Sequence, residues 1–330
     1  METLVCGGLR IDYVITAEGE ARLNQIGGNA IYAAVGTRLW TDHVQLLAKA
    51  GENFPQGWLT KLARRGILSD QVVWVPGWQE MRTFYAYLDQ STRDDRNPAE
   101  HFARIGQPLP PELEGYVYST SETNNPDSPL VLGAADVPRI ALDAVHISPL
   151  ALLTHRELVQ AFRRQDDLQI TVDPGEYEGT PETIADIQAY CAQIDAFLPS
   201  EMETELLLGS QEPYAAAEKF AAWGVPLVVI KRGPHGCLLY ERDARRFTTI
   251  PAYPTQVVDV TGAGDAFCGA FSVGLRQTGD ALRAALMGTV AASFVIEGYG
   301  ALYSLDTPKA ALQQRLDVLA GRVTRMRQIH

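Results

Sequence analysis

Apolar and polar positions follow two different periods along most of the chain. Short, almost continuously apolar runs predict buried strands, whereas apolar residues at every third or fourth position predict amphipathic helices. The predicted strands are 3–6, 43–51, 168–173, 195–198 and 226–233, and the predicted helices are 29–40, 55–66, 154–164, 181–192, 201–208 and 213–223. Apolar strands that alternate with helices predict an α/β fold, a doubly wound and mostly parallel sheet covered on both faces.

Residues from about 72 to 120 break this alternation. Within them the segments 72–76 and 83–89 have the composition of exposed strands, and polar loops rich in Asp and Arg surround them. This pattern favours a small β lid over part of the core, and residues 10–20 are a candidate addition to it. We therefore expect one α/β domain over residues 1–330 that carries this lid as a subdomain.

The composition is that of a folded globular protein and narrows the range of partners. Hydrophobic residues make up 46% of the chain and charged residues 21%. The formal net charge of −12, from 40 acidic and 28 basic side chains, argues against nucleic acid or an anionic membrane as partner. The first residues lack the pattern of a signal peptide, and nowhere do about 18 apolar residues follow one another. We expect a cytoplasmic protein.

The cysteines do not indicate a metal site. They are scattered without a CxxC pair or a histidine at zinc-ligand spacing. The four are Cys6, Cys191, Cys237 and Cys268. The pattern favours buried free thiols in a reducing compartment.

The segment 256–275 is the most informative part of the sequence. A strand-like run leads into Thr261-Gly262-Ala263-Gly264-Asp265 and then into a helix of small residues. A helix start presents unpaired N–H groups and the positive end of the helix dipole, which together favour an anion such as phosphate. The glycines permit close approach, and Asp265, which we expect this helix end to keep ionised, is suited to accept a hydroxyl proton. A tight turn with Asp265 as a helix cap fits the same residues.

Other nucleotide-binding signatures are absent from the sequence. It contains no GxxxxGK[ST] loop, no GxGxxG after the first strand, and neither HRD nor DFG. A dehydrogenase is therefore disfavoured, and any ATP site must have another architecture.

The run 259–267, DVTGAGDAF, closely resembles the carboxy-terminal signature of the ribokinase-like (PfkB) carbohydrate kinases. The resemblance extends over most of the chain. Further segments similar to the family are Gly7 with Asp12, 26–28, 51–57, 66–67, 229–236 and 285–301. It implies a ribokinase-like fold and an enzyme that moves the γ-phosphoryl of Mg-ATP to a hydroxyl of a sugar or sugar derivative.

The resemblance also implies roles for single residues. Asp265 would be the general base, and the amides of Gly262, Ala263 and Gly264 would form an anion hole for the transferred phosphoryl group. Residues implied to hold substrate hydroxyls are Asp12, Gly28 and Asn29, and those implied to bind ATP are Lys231, Gly233, Gly236 and Thr261. Asn29 as a helix cap and Lys231 as a solvated lysine at a strand end remain alternatives.

Metal handling is implied by the same resemblance. Glu203 would help to organise Mg²⁺ through water, and Asp259 is a candidate metal residue. Some relatives bind a monovalent cation near Asp259, Thr261 and the loop 295–301, so such a cation is a candidate here. Asp173 ends a strand where the family often has Asp-Pro. Two roles are open for it: it supports the reaction, or it stabilises a loop.

Two positions depart from the family pattern. Ser200 stands where the family usually has Asn, and we therefore expect altered metal handling. With Glu203 it also fits a capping box at a surface helix. Tyr32 stands where Asn is common, and its ring would either reshape the substrate pocket or pack.

Two other functions stay open. A nucleoside kinase on the same fold would stack a base on Tyr32 or on the aromatics Phe84, Tyr85 and Tyr87. A catalytically silent sugar or nucleotide sensor is compatible with Ser200, although the intact TGAGD run argues against it. The expected partners are ATP and a sugar-like acceptor, and a homodimer is the assembly considered.

Overall fold

The computed structural model describes residues 1–89, 92–118, 128–210 and 212–325. Its strands are β1 (Thr3–Cys6), β2 (Arg10–Ile15), β3 (Ala21–Gly27), β4 (Val44–Gly51), β5 (Ile67–Val75), β6 (Arg82–Tyr87), β7 (Arg93–Asp94), β8 (Ala144–Ile147), β9 (Gln169–Val172), β10 (Ala196–Phe197), β11 (Leu227–Lys231), β12 (Cys237–Glu241), β13 (Arg246–Ile250) and β14 (Thr324–Arg325). Its helices are α1 (Asn29–Arg38), α2 (Gln56–Ala63), α3 (Pro98–Arg104), α4 (Leu152–Phe162), α5 (Pro181–Cys191), α6 (Glu201–Leu208), α7 (Pro213–Ala222), α8 (Ala263–Thr278), α9 (Ala281–Val295) and α10 (Lys309–Ala320).

Ten strands form the large sheet, in the order β14-β13-β12-β11-β10-β9-β8-β1-β4-β5. The strands from β11 to β5 run parallel to one another, and β12, β13 and β14 extend one edge in antiparallel fashion. The predicted doubly wound, mostly parallel fold is confirmed. The chain adds strands on both sides of β1, so the strand order reverses there, and open sheets bind ligands at such a point beyond the carboxyl ends of their strands.

Burial explains why the strand signal in the sequence was clear. Every residue of β1, β8, β9 and β10 is buried, because helices cover both faces of the parallel part of the sheet. Among the helices that the structure describes, none is long and apolar enough to cross a membrane.

The small, lid-like sheet has the order β3-β2-β6-β7 and a core of its own. Phe84 on β6 is fully buried, and its ring contacts those of His101, Phe102 and Tyr116. His101 and Phe102 belong to α3, so this helix covers one face of the small sheet. The sheet is therefore stabilised as a unit.

The expected lid boundary needs correction. Residues 72–75 pair with residues 48–51 of β4 in the large sheet, not in the small one. They resembled an exposed strand because β5 lies at the edge of the large sheet, where Trp74 is 39% exposed. Residues 10–15 do lie in the small sheet, as β2. Residues 90–91 and 119–120 of the expected range lie outside the described residues, and movement of the small sheet as a lid stays a prediction.

The strand-like run before Thr261 is also corrected. Residues 256–260 pair with no strand in the described chain. The Val258 N–H instead donates to the Ile296 carbonyl at 2.7 Å, at the end of α9. Apolar residues in this run therefore meet a helix end, which a periodicity argument cannot distinguish from a sheet.

Helices α1 and α8 pack at very short range. A Cβ at Gly36 would lie 1.9 Å from the Ala266 carbonyl oxygen, and a Cβ at Gly269 would lie 1.9 Å from that of Ala33. No side chain fits at either glycine, so the two backbones touch directly. This contact fixes the start of α8 relative to α1.

We expect Gly269→Ala to destabilise the fold by about 1–3 kcal/mol, because the added methyl group must push α8 away from α1. The matched control is Gly57→Ala in α2, where nothing lies within 4 Å of the new Cβ. That variant should be neutral or more stable by about 0.5–1 kcal/mol, since alanine favours a helix. Urea unfolding measures both free energies, and equal stability of the two variants would refute the close packing.

Candidate active site

Candidate residues from distant parts of the sequence meet at the carboxyl edge of the large sheet. Asp173 follows β9 and Lys231 ends β11. The Lys231 Nζ lies 3.8 Å from the position that a Cβ at Gly264 would take, so the start of α8 lies directly above this edge. The strand ends and the helix start together form the floor of the candidate site.

The turn before α8 has two amides suited to an anion. Gly262 is the N-cap of α8. It requires glycine for two reasons: its φ of 73° is left-handed, and a Cβ there would lie 2.0 Å from the Tyr32 ring. The Ala263 N–H donates to the Val260 carbonyl at 3.2 Å, so its expected place in the anion hole would require it to share or exchange this bond and stays a prediction. In the described chain no group accepts from the amides of Gly262 and Gly264.

Asp265 is the third residue of α8, and the N-cap of this helix is Gly262. Burial, assisted by the nearby Glu203 carboxylate, raises the pKa of Asp265 to about 6, while Lys231 and Arg93 act to lower it. The carboxylate is still largely ionised at neutral pH, as expected. Its pKa, however, is raised and lies close to neutral pH. This is the range in which a general base is efficient.

Lys231 forms a buried ion pair with Asp173. Its Nζ lies 2.6 Å from both carboxylate oxygens and 3.5 Å from the Cys268 Sγ. The two charged side chains are 13% and 2% exposed. This arrangement does not fit a solvated lysine at a strand end, and a role of Lys231 toward ATP stays a prediction. For Asp173 it provides a fixed, specific partner.

Asp12 is a buried carboxylate with an unused oxygen. The side chain is 3% exposed, and its Oδ1 has no hydrogen-bond partner among the residues described. A Cβ at Gly27 would lie 1.7 Å from the Asp12 Oδ2, so Gly27 provides the space for the carboxylate. Burial raises the pKa of Asp12 to about 7, Asp259 adds to the rise, and Arg10 opposes it. An orphan oxygen of this kind is suited to a ligand hydroxyl.

Gly28 and Asn29 shape the loop beside Asp12. Gly28 has φ of 101° and is the N-cap of α1, so the alternative of Asn29 as cap is wrong. The Asn29 Oδ1 accepts from the Gly8 N–H at 2.8 Å, and its Nδ2 donates to the Pro149 carbonyl at 2.6 Å. Asn29 thereby ties the ends of β1 and β8 together. A direct role toward substrate stays a prediction.

Tyrosines line the side of the site formed by the small sheet. Tyr32 packs beneath Gly262, as described above, so at this departure from the family pattern the ring packs. The Tyr87 hydroxyl on β6 hydrogen-bonds the buried Thr261 Oγ1, which joins the small sheet to the TGAGD turn. Arg93 lies over the Tyr85 ring, 4.3 Å from its centroid. Arg93 could not be identified from the sequence, since nothing in a polar loop marks which arginine lies near the site.

Ser200 and Glu203 form a capping box at the start of α6. The Ser200 N–H donates to the Glu203 Oε2 at 2.5 Å, and the Ser200 Oγ accepts from the Glu203 N–H at 3.2 Å. Glu203 is buried, yet close enough to act electrostatically on Asp265. The box does not exclude a second role, because one oxygen satisfies it and the other is available for water on a metal.

The structure gives other predicted residues turn-forming contacts. The Asp259 Oδ1 accepts from the Thr261 N–H at 2.9 Å, which shapes the approach to the TGAGD turn. Gly233 and Gly236 close the turn between β11 and β12, where the Gly236 N–H donates to the Gly233 carbonyl at 3.0 Å. Within the described chain no three His, Cys, Asp or Glu side chains cluster as metal ligands. Roles of these residues toward ATP or metal stay predictions.

Comparison with known proteins identifies relatives of this chain. A model of the pfkB family of carbohydrate kinases matches residues 3–308. A cytidine kinase of Thermococcus kodakarensis is 27% identical over 290 residues, which cover 84% of this chain and 89% of the relative.

Solved structures share the fold. An E. coli protein designated ribokinase II, in complex with ATP and Mg²⁺, superposes with a TM-score of 0.72 at 20% identity, over 96% of this chain and 99% of the other. A nucleoside kinase of Burkholderia thailandensis, in complex with ADP-inosine, gives 0.71 at 17% identity, over 99% of both chains. At these identities the structural likeness shows the fold alone.

Asp12→Asn should make stability less dependent on pH. The raised pKa means that the folded protein binds this proton more tightly than the unfolded chain does, so the penalty is absent below pH 3.8 and grows as the pH rises to about 7. A shift of this size corresponds to about 4 kcal/mol at most. We expect the free energy of unfolding of the variant, relative to the unmodified protein, to rise from pH 4 to pH 8.

Unfolding by urea at the two pH values measures this difference, and any constant cost of the buried amide cancels in the comparison. Asp166→Asn, a change of the same kind on the exposed surface, is the control and should show no such trend. A stability difference for Asp12→Asn that stays constant across this range would contradict the burial of an ionisable carboxyl at this position.

Proposed function

Because the chain belongs to the pfkB family of carbohydrate kinases, we propose that it transfers the γ-phosphoryl group of ATP to a hydroxyl of a sugar or sugar derivative. One observation carries the proposal. Asp265, with a pKa near 6, stands in the first turn of α8 beside the amides of Gly262 and Gly264, for which the described chain offers no acceptor. A base and an anion-binding helix start at one place are the two elements that phosphoryl transfer to a hydroxyl requires.

In the proposed reaction Asp265 accepts the proton of the acceptor hydroxyl. The hydroxyl oxygen forms a bond to the γ-phosphorus, and the bond between that phosphorus and the bridging oxygen breaks, leaving ADP. The amides of Gly262 and Gly264 donate to oxygens of the transferred group and stabilise its charge. Asp12, through its unpaired Oδ1, accepts from other hydroxyls of the acceptor and orients it.

The residues present fit a Mg²⁺ that is bound mainly through water and phosphate. Mg²⁺ keeps several waters and commonly uses only one or two protein carboxylates, which agrees with a site without a three-ligand cluster in the described residues. The ion would neutralise phosphate charge, and the Glu203 oxygen that the capping box leaves over would accept from its waters.

A nucleoside acceptor is the second candidate, and the tyrosines of β6 favour it. Tyr85 and Tyr87 are partly exposed and lie near Asp12 and Asp259, and aromatic rings of this kind would stack on a base. Phe84 is not available for this purpose, because it is fully buried within the small sheet. The similarity to a cytidine kinase supports the same candidate.

A screen of sugars and nucleosides for ADP release tests the proposal. We expect at least one sugar-class acceptor to stimulate ADP release with Mg²⁺, and excess EDTA to abolish it, because the phosphate charges must be neutralised before a hydroxyl approaches. A response to nucleosides alone would favour the second candidate. Tight binding of ATP and a sugar without turnover would identify a sensor, and undiminished turnover in EDTA would contradict the mechanism.

A further inference from the structure

A buried polar cluster lies beneath the first turn of α8 and has no part in the reaction as described. It consists of Asp173, Lys231 and Cys268. We propose that Lys231 is a positioning residue that, paired with Asp173, sets the protonation equilibrium of Asp265 and does not bind a nucleotide phosphate. This inference rests on the proposed role of Asp265 as the base.

The hydrogen bonds of Lys231 hold its ammonium group within the cluster. Lys231 Nζ faces both oxygens of Asp173 at 2.6 Å and the Cys268 Sγ at 3.5 Å, which matches its three N–H bonds. The thiol in turn donates to the Asp173 Oδ2 at 3.3 Å. All hydrogen bonds that the ammonium group makes within the described chain lie inside the cluster. A lysine that bound ATP would have to abandon a buried carboxylate.

The cluster lies close to the base. Cys268 follows Asp265 by three residues, so both side chains project from the same side of α8. The Lys231 Nζ lies 3.8 Å from the position of a Cβ on Gly264, the residue next to Asp265. Charges in a poorly hydrated site interact more strongly than in water, and Lys231 is near enough to lower the pKa of Asp265.

The charges that surround Asp265 come from several elements. The positive ones are Lys231 on β11 and Arg93 on β7; the negative ones are Glu203 on α6, Asp173 after β9 and Asp12 on β2. Cys268, a buried thiol, contributes no charge. Lys231 lies in a strand of the large sheet, whereas Arg93 lies in a two-residue strand of the small sheet and is exposed. Lys231 is therefore the positive neighbour that the core holds in place.

The two members of the ion pair act on Asp265 with opposite signs. Lys231 favours the ionised base, and Asp173 disfavours it. If Lys231 is removed, the buried Asp173 takes up a proton, and its repulsion of the Asp265 carboxylate is lost as well. The pKa of Asp265 then rises by less than the loss of the lysine charge alone would cause. If only the charge of Asp173 is removed, Lys231 acts on Asp265 without opposition. Opposite substitutions must then shift the base in opposite directions.

The experiment compares Lys231→Met and Asp173→Asn in two measurements. The pH dependence of kcat/KM reports the base in the free enzyme, and ¹³C NMR titration of the Asp265 carboxyl carbon reports the same group without turnover. We expect Lys231→Met to move the midpoint upward by about 1 unit and Asp173→Asn to move it downward. The KM for ATP should change less than about threefold, since the lysine makes no phosphate contact.

Lys219→Met, the same change at an exposed position of α7, is the control and should leave the midpoint in place. Thermal melts show whether each variant is folded. If Lys231→Met unfolds, the nearly isosteric Asp173→Asn still tests the inference through the direction in which it moves the titration midpoint of Asp265. The inference would be overturned if the two variants left the titration midpoint of Asp265 unchanged or moved it in the same direction. A tenfold rise in the KM for ATP with an unchanged midpoint would overturn it as well.

The NMR arm separates this inference from the proposed function. Opposite shifts of the Asp265 carbon in a protein that turns over no acceptor would support the electrostatic role and count against the kinase reaction. Turnover with an acid limb that neither variant moves would support the kinase and overturn the role of Lys231.

Discussion

The direct backbone contact between α1 and α8 is the constraint on which the candidate site depends. Gly36 and Gly269 leave no room for a side chain between the two helices, so the start of α8 has a fixed position relative to α1. Tyr32, one turn before Gly36, then lies under Gly262 and supports the left-handed turn from below. The same packing holds Asp265 above the ends of β9 and β11, where Asp173 and Lys231 are paired.

Partial burial gives the site its acid–base character. Asp12 and Asp265 are both raised in pKa because protein replaces much of their water, and each lies near further carboxylates. The fold offsets this accumulation of negative charge with Lys231 from the core and Arg93 from the small sheet. A carboxylate whose pKa lies near 6 remains ionised at neutral pH and still binds a proton readily. The positive helix end alone would have lowered the pKa, so desolvation is the stronger effect here.

The sequence sufficed to predict the fold and the start of a helix after the TGAGD turn, because both depend on local patterns. Buried parallel strands are apolar on both faces, and a glycine-rich turn before a helix is visible without any tertiary contact. What could not be predicted depends on partners that are distant in the chain. The bond from Ala263 to Val260, the pairing of Lys231 with Asp173, and the place of residues 72–75 at the edge of the large sheet each follow from three-dimensional packing. Cys268 is an exception, since its spacing of three from Asp265 on a predicted helix was a usable signal.

The most direct test of the account is the effect of Asp265→Asn on kcat and on ATP binding. The substitution keeps the shape of the side chain and removes only its capacity to accept a proton. The cap of α8 is the backbone of Gly262, so folding should survive, as a thermal melt will show. With the best acceptor from the screen, we predict a fall in kcat of at least about 10²-fold and an ATP affinity, measured by calorimetry, that changes little. A folded variant with the kcat of the unmodified protein would contradict the central claim that Asp265 is the base.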